Sequence, residues 1–218
     1  MARETRFNQI YSHRDLNLIQ QSVDVQPAEP KLNLIDIPGA DGSVDMSELP
    51  AGRGGYHDRT LTWTYALYPG DDWHTKHRQV SNALNGLRCT IHLDTDWDWY
   101  YDGRLTVKKY NYDKALRQIT VEATCFPYKR KFAYTDVRKD LTTEPLEIVL
   151  TNTQEPVVPD FMASVQTTLT YNGRSVTIPP GAWFSSLDFE LPKGESTITA
   201  HTVSGTGTLR ILYREGSL

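Results

Sequence analysis

Alternation with a period of two constrains this chain more than any other feature. In TLTWTYALY, Leu61, Trp63, Tyr65 and Leu67 point one way and the threonines between them point the other. The rhythm returns in RCTIHLD with Cys89, Ile91 and Leu93, and in RQITVEATC with Ile119, Val121, Ala123 and Cys125. Side chains two apart on an extended strand share a face, so each segment is predicted as a strand with one side on a core. The fold class that follows is mainly β.

Two dipeptides set expected hairpin turns. Asp102-Gly103 is predicted to join WDWYY to RLTVKK, and Asn172-Gly173 to join TLTY to RSVTI. Both tolerate the positive φ that a tight two-residue turn demands. One helix is expected among the strands. Asp71 or Asp72 can cap it, Trp73, His77, Val80 and Leu84 form a single stripe, and Gly86 stands where a left-handed stop belongs. A helix this short is marginal alone, so it is predicted to pack on the sheet carrying Trp63 and Tyr65.

Residues 38–59 break the rhythm, holding Gly39, Gly42, Gly52, Gly54 and Gly55 with only scattered apolar side chains. A structureless loop of that size is unusual inside a compact domain. An extended arm, a hairpin reaching a neighbour or a lid is therefore expected there. A domain boundary is expected within residues 128–144, where KRKFAYTDVRKDLTTEP is charged and ends in Pro145. Eleven of the seventeen Trp and Tyr residues lie within residues 56–112, so aromatic use changes across that boundary too. The division read from this is a first domain over residues 1–135 and a small β-sandwich over residues 136–218, built of short strands between Pro, Gly and Asn turns.

A net charge of −4 argues against a general nucleic-acid binder. Lys129, Arg130, Lys131 and Arg138 form a short basic cluster, expected to be a solvated linker. The charged start, MARETRFNQIYSHRDL, lacks the apolar core of a signal peptide, and no stretch approaches bilayer-spanning length. A soluble protein made in the cytoplasm is the expectation. Cys89 and Cys125 lack metal-ligand spacing and are expected to be reduced, half-buried strand residues.

Candidate chemistry is sparse. The run DTDWDWYYDG offers Asp94, Asp96, Asp98 and Asp102, which resemble the start of a calcium loop. Tyr stands where the sixth-position Gly belongs and Leu105 where a bidentate Glu belongs, so the match fails. Read as a strand, the run puts the first three aspartates on a solvated face with Trp97 and Trp99 opposite. A glycosidase would need two carboxylates across a sugar-sized gap, which spacing along one strand does not establish. His74, His77 and His92 share no common direction for zinc. Gly52-Arg53-Gly54-Gly55 lacks the Gly-Lys-Ser/Thr ending of a phosphate loop. No nucleophile elbow occurs, so neither an enzyme nor a cofactor is expected. Trp183, in IPPGAWFSS, could stack on a sugar ring, although a lone Trp beside a proline turn more often packs at a core or an edge.

Several local signals in order resemble the distal tail protein family of long, non-contractile-tailed phages. LNLIDIPGADGSVDMSE (residues 32–48) resembles that family's strand followed by an Ile-Pro-Gly, Asp-Gly turn, and YHDRTLTWTYAL its re-entry into the sheet. VSNALNGLRCTIHLDTDWDWYYDGRL resembles its helix, strand and Tyr-Tyr-x-Gly-Arg order, and ATCFPYKR its terminal strand. The closing part, from IPPGAWFSS to GTGTLRILYREGSL, is similar to the family's carboxy-terminal galectin-like or carbohydrate-module-like sandwich.

The resemblance implies a hexameric ring at the tail tip of the virion, single or stacked. It implies an amino-terminal β-sandwich with one packed helix and an arm, docked to the major tail tube protein on one side. A tail-associated hub or fibre protein would meet the other side, with the tape-measure protein a further partner. The second sandwich is too short for the long receptor-binding insertion of some relatives. The expected inter-subunit arm comprises Pro38, Gly39, Asp41, Gly42, Gly52, Gly54, Gly55 and Tyr56. The competing readings are a carbohydrate-binding protein that uses Trp183, and a hydrolase that uses residues 94–102.

Overall fold

The computed structural model describes residues 3–48, 54–108 and 117–218. The chain divides into two compact units, Met1–Lys129 and Arg130–Leu218. The first contains β1 (Thr5–Phe7), β2 (Ile10–Tyr11), β3 (Leu18–Val25), β4 (Leu34–Asp36), β5 (Ser43–Asp45), β6 (Arg59–Leu67), α1 (Trp73–Leu84), β7 (Arg88–Leu93), β8 (Trp99–Val107) and β9 (Gln118–Cys125). Seven of these strands run in one antiparallel path, β2-β1-β7-β8-β9-β6-β3.

That path closes over itself. In a flat sheet β1 and β6 would stand four strand spacings apart, roughly 19 Å. The Phe7 ring nevertheless meets the Trp63 ring edge-on at 5.2 Å, and Trp63 Nε1 donates to Thr5 Oγ1 at 3.0 Å. Thr5 Oγ1 in turn donates to Gln20 Oε1 at 2.7 Å, tying β1 to β3. The strands therefore form two facing layers with Trp63, Tyr65, Ile91 and Val121 between them. Burial alternates without a break along β6, as the sequence period requires.

The helix forms where expected. Asp72 caps it, accepting from the Thr75 amide at 2.9 Å, and Gly86 follows it at φ +82°. Trp73, Val80 and Leu84 are buried, and Trp73 Nε1 reaches the Gln118 carbonyl at 3.2 Å.

Two expectations are corrected. Asp102-Gly103 is no turn: both residues sit inside β8, with Gly103 opposite Cys89 on one side and Cys125 on the other. A Cβ there would stand 2.4 Å from Cys125 Sγ and 2.9 Å from the Thr124 carbonyl oxygen. Glycine is needed for close approach, not for positive φ. The acidic run is displaced accordingly, because Asp94, Asp96 and Asp98 lie in the turn joining β7 to β8 and not along a strand face. Trp97 does not pack inward from a strand there; it is 44% exposed in that turn.

Cys89 and Cys125 are free and buried. Two strand spacings separate their backbones by roughly 9–10 Å, beyond disulfide reach. Burial pushes both thiols up to about 12. The folded protein should thus resist a thiol reagent at pH 8, and two thiols should react after denaturation. An unfolded thiol ionises from its ordinary 9.0 upward while the folded one keeps its proton to about 12. Stability is therefore full below pH 9 and falls as pH rises from about 9 to about 12. Titrating the denaturation midpoint across that range checks the sign.

The second unit begins within β10 (Lys129–Lys131). It contains β11 (Thr135–Leu141), β12 (Leu146–Asn152), β13 (Asp160–Ala163), β14 (Thr167–Tyr171), β15 (Arg174–Ile178), β16 (Trp183–Phe184), β17 (Gly194–Thr202), β18 (Gly207–Tyr213) and β19 (Gly216–Ser217). Two four-stranded antiparallel sheets, β11-β18-β13-β16 and β12-β17-β14-β15, enclose Phe161, Phe189, Leu169, Ile198 and Ile211. Asn172 and Gly173 do form the β14–β15 turn, at φ +48° and +76°.

The basic cluster is not a solvated linker. Lys129 pairs with Asp96 at 2.6 Å, Arg130 with Glu155 at 2.8 Å and Lys131 with Glu215 at 3.2 Å, while Arg138 lies on β11. Lys129, Arg130 and Lys131 are held in place by partners distant in sequence, whereas Arg138 pairs with nearby Asp136.

Candidate functional site

The arm grows out of the pairing of β3 with β6. Hydrogen bonding continues past the strand ends from Gln26 N to the Thr60 carbonyl at 2.9 Å, then from His57 N to Glu29 and Lys31 N to Gly55, each at 2.8 Å. Arg59, which is buried, locks this base. Its Nε donates to the Gln26 carbonyl at 3.0 Å and its Nη1 to the Pro127 carbonyl at 3.2 Å, with the guanidinium over the Tyr101 ring.

Beyond the base, β4 and β5 form a two-stranded hairpin with Ile35 opposite Val44. Every residue of both strands is exposed. Ile35 and Val44 share one face, which is apolar, while Leu34 lies on the other beside Asp36, Ser43 and Asp45. Leu32, at 62% exposure, and Ile37 extend this surface at either end of β4. An isolated two-stranded hairpin is marginally stable in water, and exposed apolar patches mark interaction sites.

The residues expected for the arm are spread along it. Pro38, Gly39, Asp41 and Gly42 occupy the tip, with Gly39 at φ +84° and Gly42 at φ +77°. Gly54, Gly55 and Tyr56 stand at the base, where Tyr56 bridges Pro30 and meets Tyr128 edge-on at 5.8 Å. Gly52 lies outside the described residues. The base and the β4–β5 hairpin together line a cavity of about 700 Å³ that includes Lys31, Asp45 and Glu48. The glycines thus shape the arm, while Leu32, Leu34, Ile35, Ile37 and Val44 supply its exposed apolar surface. Those apolar residues were legible only as a strand in LNLIDI, since exposure is not written in a local pattern.

The other candidate chemistry does not converge. Asp96 is held by Lys129, and Asp102 by Arg88 at 3.2 Å. His77 stacks on Trp73 at 4.7 Å, and His92 is buried on β7. Burial lowers the pKa of both imidazoles. Among the described residues no group of three or more His, Cys, Asp or Glu could hold a metal ion, and no helix is long and apolar enough to cross a membrane.

Trp183 sits on the edge strand β16, half exposed, opposite Met162 of β13. Arg210 of β18 lies across from Met162 and places its guanidinium 5.8 Å from the indole centroid. Asp136 accepts from Arg210 at 3.0 and 2.9 Å and from Arg138 at 3.5 and 3.1 Å. These two guanidinium groups hold the Asp136 carboxyl down at about 2.

No protein-family model matches the chain, and no curated protein matches it. Among solved structures, the fold is shared along the full length of both chains with the SPP1 Dit (gp 19.1) protein, at a TM-score of 0.63 and 14% identity. That protein is described as a paradigm of the hub adsorption apparatus in phages infecting Gram-positive bacteria. A de novo designed double-stranded β-helix covers 39% of the chain at a TM-score of 0.28 and 16% identity, too low to inform the fold.

Proposed function

We propose that the chain is a structural, non-enzymatic distal tail protein of a phage or prophage. It assembles into a ring with copies of itself, a hexamer in one or two layers, at the tip of the virion tail. The ring joins the major tail tube protein to the tail hub or fibre protein of the adsorption apparatus, near the end of the tape-measure protein. The observation that carries this reading is the arm, whose exposed Leu32, Leu34, Ile35, Ile37 and Val44 the chain itself leaves uncovered. A head-to-tail ring needs two unlike patches on each subunit, and an arm laid on the next copy supplies one of them. The full-length likeness in fold to a hub adsorption protein supports the same reading.

Light scattering should give several times the monomer mass of 24.8 kDa, with a central hole by negative-stain microscopy. Deleting residues 42–55, or replacing Ile35 with Asp, should return the protein to monomer while the circular-dichroism signature of folded β-structure persists. Rings that survive both changes would remove the arm from the interface. A native chain that stays monomeric at high concentration would count against the ring.

A second reading is favoured by the exposed indole of Trp183: a carbohydrate-binding protein that recognises host cell-wall glycan through the second unit.

A further inference from the structure

The outer face of the sheet β11-β18-β13-β16 carries an ordered cross-strand row. Pairing sets Arg138 opposite Arg210, Arg210 opposite Met162, and Met162 opposite Trp183. Their sequence neighbours Leu209, Ile211, Phe161 and Ala163 point into the core, so the four side chains of the row share the solvent face. Three strand spacings make the row roughly 14 Å long. One end is a half-exposed indole and the other a guanidinium, with a thioether between them.

Polar side chains flank the row in register. On one side, one strand-pleat away, Asp136 orients both guanidinium groups by the paired hydrogen bonds described above. On the other side Asp140, Thr208 and Ser164 border a cavity of about 470 Å³ that Arg138, Arg210 and Met162 also line. Gly181 closes that cavity, held by its amide on the Ala163 carbonyl at 2.8 Å. The concavity is therefore built by strand pairing and fixed by paired charges, not by loose surface side chains.

The geometry points to a binding site for a neutral saccharide on this face, with Trp183 as the stacking platform and Arg138, Arg210 and Asp140 as the hydroxyl-recognising groups. An apolar sugar face can lie on an indole, which presents a large rigid apolar surface. Sugar hydroxyls both donate and accept, so a face that offers guanidinium donors beside carboxylate acceptors suits them. Asp136 is already occupied by two arginines, so Asp140 is the carboxylate left to accept from a ligand. The charge balance selects neutrality. On this face Arg138 and Arg210 are offset by Asp136, Asp140 and Asp160, so no net positive field draws an anionic polymer to the sheet. This assignment rests on the glycan reading and is independent of ring assembly.

The test titrates the full-length protein with neutral tetrasaccharides of glucose and of galactose, and with a glycerol-phosphate polymer as the anionic probe. Trp fluorescence and calorimetry are read in parallel. Binding of a neutral probe is expected, weakened at least tenfold by Trp183→Ala and by Arg210→Met, and kept within a few-fold by Trp183→Phe. Both main substitutions lie at the surface, and light scattering on the same samples checks that assembly is unchanged. Neutral-sugar binding that survives both substitutions would leave the glycan reading standing and remove this face from it. No binding of any neutral probe would overturn both, and a preference for the phosphate polymer would overturn the assignment of neutrality.

Discussion

Trp63→Ala is expected to cost the first unit about 3–5 kcal/mol, the range for truncating a large buried aromatic. Trp63 is fully buried, and its ring meets Phe7 across the two layers. The substitution also removes the donor to Thr5 Oγ1, in a threonine that is itself fully buried, which adds a penalty on the order of 1–3 kcal/mol. Whole domains are stable by only about 5–15 kcal/mol, so this single change could consume most of that margin. Denaturant unfolding followed by circular dichroism would measure it, with Trp183→Ala as the surface control, expected within about 0.5 kcal/mol of the native chain. A loss for Trp63→Ala below about 1 kcal/mol would mean that the two layers do not meet at this side chain.

Gly103→Val is the second large effect. Even a Cβ at this position stands 2.4 Å from Cys125 Sγ and 2.9 Å from the Thr124 carbonyl oxygen, and valine adds two methyl groups beyond it. Overpacking of this kind costs about 1–3 kcal/mol or more. The backbone oxygen cannot step aside as a side-chain end can, so the pairing of β8 with β9 must open. Gly103→Ala combined with Cys125→Ala separates the two contacts. Relief of the sulfur clash should appear as a coupling of about 0.5–3 kcal/mol in a double-mutant cycle, with the backbone clash remaining. Additive losses would show that sulfur and Cβ do not compete for the same space. A glycine serving a turn would behave differently, since asparagine could replace it at little cost.

That glycine also shows where sequence reading stops. Asp-Gly flanked by alternating residues is a sound local signal for a hairpin, and here a non-local demand overrode it. Gly103 lies between two strands that each bring a cysteine toward the same point, and only the pairing register reveals this. Once Asp102-Gly103 belongs to a strand, the chain must reverse earlier, and DTDWD becomes the turn. The basic cluster followed the same logic: Lys129, Arg130 and Lys131 look like a solvated charge run until Asp96, Glu155 and Glu215 are brought beside them.

By itself the sequence determined what depends on near neighbours. The two-residue period in β6, β7 and β9 settled which side chains face the core. Asp72 and Gly86 bounded the helix, and Asn172-Gly173 made its turn because both residues accept positive φ. The glycines of residues 38–59 marked a segment that leaves the sheet, though not the exposed apolar side chains of the hairpin it helps to form. Tertiary structure alone decided that the first sheet closes over Trp63, that Leu34, Ile35 and Val44 stay exposed on the hairpin, and that Arg138, Arg210, Met162 and Trp183 fall into one row. Alternation says which face a residue occupies but not which strand lies beside it. Partner and register are set by contacts between segments far apart in the chain, and those no local pattern contains.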